Sequence, residues 1–217
     1  MKVLKVNKFP RWIEGISIYC EWLYETNQAI IKLSGLDCIN DAEKMRKLFL
    51  DVSHNIVKLV PCEADYVNKK VRPVKKDGIY NFIDEIKFLD EDYKSIFFNY
   101  NNCLYKIKII RNKTEHEPHN LKMVSSYSGS SSHPNAVFEY DSVRYNVRTE
   151  DFIEIVILLN AIFDKLIKEL EKFKYNNNDK YGSYPYLEKY TALNFEIFNR
   201  VLKSDLLADV GKIMKDF

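Results

Sequence analysis

Glycine and proline are scarce in this chain, six of each in 217 residues. These two residues punctuate turns, so their scarcity argues against a loop-rich all-β fold. Long apolar runs are missing as well. No stretch approaches the about 18 apolar residues of a membrane-spanning helix, and no membrane span is expected. Residues 1–8 hold no apolar core of signal-peptide length, which leads to the expectation of a cytoplasmic protein. There is no Cys-x-x-Cys pair. Cys20, Cys38, Cys62 and Cys103 each lie in an apolar or helical context and read as reduced, partly buried thiols. A strong charge of one sign is also lacking. The net charge of +2 is too small for a general nucleic-acid coat, so any binding to nucleic acid must use a local patch. Neither an internal repeat nor a Gly-rich phosphate loop is present. Arginine is the minor cation, seven against 26 lysines. An arginine inside a polar cluster is therefore notable for the geometry of its donor fork.

What is present is amphipathic helix. The apolar fraction of 46% and charged fraction of 29% are ordinary for a globular chain. A first helix is predicted from Pro10 to about Gly35, with Ile13, Ile16, Cys20, Leu23, Tyr24 and Ile31 at helical spacing. Asn40 and Glu43 form a capping-box pattern for a second helix. Its buried face is Met45, Leu48, Phe49, Val52, Ile56 and Leu59, and Pro61 ends it. Residues 62–78 form a lysine-rich connection, and residues 79–89 a short helix. The next helix has a seam of Tyr93, Ile96, Phe97, Tyr100, Leu104 and Ile107, which continues by one turn onto Arg111. A guanidinium on that line needs a partner or a polar cleft.

From Leu121 to Val147 the pattern changes to strands, with a Ser-rich loop around His133 that is expected to be solvated. Asp141-Ser142 has the length of a tight hairpin turn. Thr149 is placed to cap a further helix, with Phe152, Ile155, Val156, Leu159, Ile162, Leu166 and Leu170 on one stripe. The expected fold is therefore all-α: a bundle of about five or six helices with a small antiparallel β-hairpin or meander inserted after the motif helix. Residues 1–175 form the helical domain, with the insert at about 120–148. Residues 176–217 form a linker and C-terminal helices that complete the bundle or a dimer.

One segment carries chemistry. Residues 111–119 read Arg-Asn-Lys-Thr-Glu-His-Glu-Pro-His. Arginine can clamp a phosphate, and histidine can move a proton near neutral pH. Pro118 forces the helix to end beside His116. Arg111 and His116 are five apart, roughly 140° around an ideal helix, and do not converge on one atom in one straight helix. A kink, or a second copy across a dimer axis, would bring them together.

The segment Arg111-Asn112-Lys113-Thr114-Glu115-His116 resembles the Arg-x4-6-His motif of the HEPN superfamily, with its polar residue after the arginine. More loosely, the helical pattern from about Pro10 to Phe173 is similar. The resemblance implies a metal-independent endoribonuclease, without cofactor, that works as a homodimer in a toxin or phage-defence role. It implies RNA as substrate and an antitoxin or defence protein as a further partner. His116 would be general base or acid, Arg111 the phosphate clamp, and Asn112 the residue that orients His116 or the phosphate by a hydrogen bond. Lys108, Lys113 and His119 are the candidate substrate contacts. Some members carry a modifiable tyrosine two residues after the histidine. Here that position is Pro118, so that mode of control is not expected.

Other readings stand beside this one. Arg111 and Glu115, at i,i+4, can form a helix-surface ion pair, and His116 and His119 can be ordinary helix-end residues. The chain would then be a non-catalytic all-α interaction protein. His116 and His119 with Glu115 or Glu117 offer metal-ligand types, but Pro118 divides them and no distant cluster completes the set. His54 follows Ser53 on a helix, where adjacent side chains point apart. It reads as a surface or core-edge histidine.

Overall fold

The computed structural model of the chain describes residues 11–34, 42–60, 90–128 and 133–176. The expectations for Asn40, Cys38 and Cys62, for 62–78 and 79–89, for the loop at 129–132 and for 177–217 lie outside those residues. The described elements run α1 (Arg11–Ser34), α2 (Ala42–Leu59), α3 (Asp90–His116), β1 (Lys122–Ser128), β2 (Pro134–Tyr140), β3 (Val143–Arg148) and α4 (Thr149–Asn176). The fold is mostly helical, with a small antiparallel sheet inserted directly after the motif helix.

The four described helices close a ring. α1 packs on α2 and α4, and α3 packs on the other side of both. Each helix turns its apolar stripe inward, as an amphipathic helix must. On α2 the buried positions include Met45, Leu48, Phe49, Val52, Ile56 and Leu59, all six residues that the periodicity selects. On α4 the expected stripe from Phe152 to Leu170 is likewise buried.

The stripe of α1 runs through Ile16, Cys20, Leu23, Ile30 and Leu33 rather than through Ile31, which is half-buried. It crosses the buried polar residues Thr26 and Asn27, which hide it from an apolar count. Asn27 meets Asn160 of α4 in a reciprocal amide pair at 3.2 and 3.1 Å. The Asn160 amide also donates to the Val156 carbonyl at 2.7 Å. Buried polar groups need such partners to avoid a desolvation penalty.

The sheet has order β1-β2-β3, a meander. β2 and β3 pair from Asn135↔Arg148 to Tyr140↔Val143, so Asp141 and Ser142 form a two-residue turn. Both have positive φ, 48° and 64°, as a type I′ hairpin turn requires. β1 pairs with β2 with a register shift between Met123 and Ser125, which leaves Val124 as the extra, exposed residue.

Phe138 of β2 is fully buried and meets Phe49 of α2 edge-on at 6.3 Å. Phe49 in turn lies 5.7 Å from Phe152 of α4. This aromatic contact seats the sheet on the bundle.

Two local expectations change. The Thr149 hydroxyl donates to the Pro134 carbonyl, and the Thr149 backbone N–H donates to Asn135 Oδ1 at 3.2 Å. The start of α4 is thus tied to β2 instead of being capped by its own first residue. His133, immediately before that joint, is buried at 9% exposure rather than solvated. Its Nδ1 has no hydrogen-bond partner among the described residues.

Candidate functional site

The motif rides on the last turns of α3. This helix is kinked at Tyr100, where φ is −122° and ψ is 15°. Before the kink Tyr93, Ile96 and Phe97 are buried. Beyond it the buried line is Cys103, Ile107 and Ile110. Arg111 therefore stands at the edge of the seam, half-buried, on the side facing α2. The helix persists to His116, and the Glu117 N–H still donates to the Lys113 carbonyl at 2.8 Å. Pro118 then starts a turn closed by Asn120 N–H to the Glu117 carbonyl at 3.0 Å.

Around Arg111 the structure assembles a polar cluster. Arg111 Nη2 lies 2.9 Å from Glu115 Oε1. Arg111 Nη1 donates to Asn112 Oδ1 at 3.0 Å. Arg111 Nε is buried with no partner among the described residues. The same Glu115 oxygen lies 3.4 Å from His54 Nδ1 on α2. His54 thus holds the core-edge position expected of it, and its contact with the motif depends on how α2 and α3 dock. Burial pushes the His54 pKa below its ordinary 6.5. Lys58 and Arg111 act in the same direction, while Glu115 and Asp51 oppose them.

A second cluster lies one turn further on. Lys113 Nζ contacts Glu117 Oε1 at 2.9 Å and donates to the Tyr140 hydroxyl at 2.8 Å. The ammonium also sits 4.0 Å from the centre of the Tyr140 ring. The Tyr140 hydroxyl donates to Glu117 Oε2. These bonds hold the Glu117 carboxyl down at about 2, the Tyr140 hydrogen bond first and Lys113 second. The Lys113 ammonium is held above its ordinary range by the same two partners. Lys113, a candidate substrate contact, is thus engaged in joining α3 to β2.

The structure therefore brings together Arg111, Asn112, Glu115 and His54, and separately Lys113, Glu117 and Tyr140. No hydrogen bond or ion pair joins His116 or His119 to Arg111 among the described residues. Both are exposed and make no hydrogen bond or ion pair among the described residues. Lys108 is exposed on α3.

Beside the first cluster an open groove runs between α2 and α3, lined by Glu43, Lys44, Arg46, Lys47, Leu50, Asp51 and Thr114. No group of three or more metal-ligating side chains occurs among the described residues. No described helix is long and apolar enough to cross a membrane. Compared with known proteins, the chain matches no family model, no curated protein and no solved structure.

Proposed function

We propose that this chain is a metal-independent endoribonuclease of HEPN type that acts as a cytoplasmic homodimer in a toxin or defence role. The observation that carries the reading is the arrangement at the end of α3. A guanidinium oriented by Asn112 lies on the same helix end as His116, an exposed histidine with no partner among the described residues. In the reaction, a ribose 2′-oxygen forms a bond to phosphorus as the bond to the 5′-oxygen breaks. The proton leaves the 2′-OH for one histidine, and a proton reaches the departing 5′-oxygen. The products are a 2′,3′-cyclic phosphate and a 5′-OH. His116 moves these protons. Arg111 stabilises the charge that builds on the phosphate. Asn112 orients His116 or the phosphate, and Lys108, Lys113 and His119 contact the substrate.

Dimerisation answers the geometric problem that Arg111 and His116 diverge on one helix. Along α3, Asn102, Tyr105, Ile109, Asn112 and His116 follow one another at intervals of three and four residues, so they share a face. Phe98 is 90% and Tyr105 64% exposed, large apolar groups left in water on the motif helix. A second copy packed on this face brings two motifs into one cleft. An antitoxin or defence protein is its further partner.

A specific observation favours the second reading, a non-catalytic interaction protein. Glu115 already occupies Arg111 as an i,i+4 ion pair would. RNA cleavage in EDTA by Arg111→Ala and His116→Ala separates the two. Loss of cleavage with the fold intact supports the enzyme. Undiminished cleavage by both variants refutes the site, and no cleavage of any RNA by the unaltered protein favours the interaction protein.

A further inference from the structure

We infer that Glu115 and His54 are positioning residues of the Arg111 site: Glu115 keeps the guanidinium occupied, and His54 takes Glu115 over when a phosphodiester binds Arg111. The inference rests on the reading of Arg111 as the phosphate clamp and names how that clamp is opened.

A guanidinium can grip a phosphate with two parallel N–H donors along one of two edges, Nε–Nη2 or Nη1–Nη2. The Nε edge is buried, with no acceptor for Nε among the described residues. A two-point contact with phosphate is therefore left to Nη1 and Nη2. Each carries two N–H groups and already has one acceptor, Asn112 Oδ1 on Nη1 at 3.0 Å and Glu115 Oε1 on Nη2 at 2.9 Å. Glu115 therefore competes with a substrate oxygen for Nη2. An anion that takes its place leaves the carboxylate in need of a new partner.

His54 supplies that partner without a large movement. Its Nδ1 is already 3.4 Å from the very oxygen that holds Arg111. The groups that face the imidazole come from two helices. Asp51 and Lys58 lie on its own α2, and Arg111 and Glu115 on α3. Lys58 and Arg111 disfavour a proton on His54, whereas Asp51 and Glu115 favour one. A phosphate on Arg111 cancels one opposing charge, and the transfer of Glu115 strengthens one supporting charge. Both changes turn His54 into a donor to Glu115. The groove lined by Lys44, Lys47, Asp51 and Thr114 runs alongside and offers an anionic chain a path to this point.

The test uses the full chain and a short all-2′-deoxy oligonucleotide, which 2′-OH attack cannot cut. Glu115→Gln is expected to bind it about two- to fivefold more tightly than the unaltered protein at neutral pH, the size of a part-exposed ion pair. In parallel, NMR follows the His54 ring, its signal assigned with His54→Asn. The His54 titration midpoint is expected to rise on saturation with the oligonucleotide, and to rise less in Glu115→Gln, where only the charge on Arg111 is cancelled. A His54 rise of equal size in both proteins marks charge effects alone and overturns the inference. Equal or weaker binding by Glu115→Gln, or an unmoved His54 midpoint, overturns the inference. Arg111→Ala separates the two levels. If it binds as well as the unaltered protein, the clamp reading fails and takes the inference with it. If it loses binding while Glu115→Gln gains none, the inference alone fails. Absence of binding by all these proteins overturns both.

Discussion

At the scale of single residues, the end of α3 is defined by two carboxylates with different tasks. Glu115 faces α2 and holds Arg111, whereas Glu117 faces the sheet and holds Lys113 and Tyr140. The Glu117 carboxyl titrates near 2 instead of its ordinary 4.5 because its charged form accepts those bonds. A depressed carboxyl stabilises the fold above its unfolded value, and the contribution disappears as pH falls through the folded value. The Lys113–Glu117–Tyr140 cluster is thus fully effective above about 4.5 and lost toward pH 2. Tyr140→Phe removes the largest cause, so the Glu117 midpoint is expected to move up toward 4.5, read by carboxyl NMR. The variant should also lose less stability than the unaltered protein on acidification through that window. An unmoved midpoint would show that Tyr140 does not hold Glu117.

Much of this was legible from sequence only in part. Arg111 stands out because it extends an apolar seam. His54 does not, because its contact with Glu115 depends on how α2 and α3 dock. Helical periodicity assigns faces, not the axial register between two helices.

At the scale of elements, the ring of helices is held by apolar stripes, and a buried polar pair interrupts those of α1 and α4. The Asn27–Asn160 pair joins α1 to α4 inside the core. Replacing one partner strands the other carboxamide, and an unsatisfied buried group costs about 1–3 kcal/mol. Asn160→Leu is expected to lower unfolding stability by about that amount in urea titration. Adding Asn27→Leu should recover much of the loss. A single substitution without effect would mean that the pair carries no stability. The break also explains why apolar spacing alone points to Ile31 while Ile30 is the buried residue. Thr26 and Asn27 lie on it, and an apolar count skips them. The stripes of α2 and α4 could be read directly because their apolar repeats are regular. The hairpin turn was equally legible, since a two-residue loop admits few backbone solutions and Asp141-Ser142 adopts the one with two positive φ angles. The burial of His133 was not, because it follows from the joint between β2 and the start of α4, a contact between residues 14 and 15 positions apart.

At the scale of the whole molecule, the described chain is a four-helix ring whose motif helix keeps large apolar groups in water. The proposed homodimer covers Tyr105 and brings His116 of one copy toward the partner's motif. Tyr105→Asp is expected to halve the mass measured by light scattering, to leave helical circular dichroism unchanged and to reduce RNA cleavage at least about tenfold, equivalent to the loss of about 1.4 kcal/mol. An unchanged mass would place the dimer contact elsewhere.

The central claim concerns chemistry, and end-group analysis of cleaved RNA tests it most directly. With the unaltered protein in EDTA, the account predicts 2′,3′-cyclic phosphate and 5′-OH ends, both lost in Arg111→Ala and His116→Ala. Cleavage that persists in both variants, 3′-OH ends, or no cleavage by the unaltered protein would contradict it.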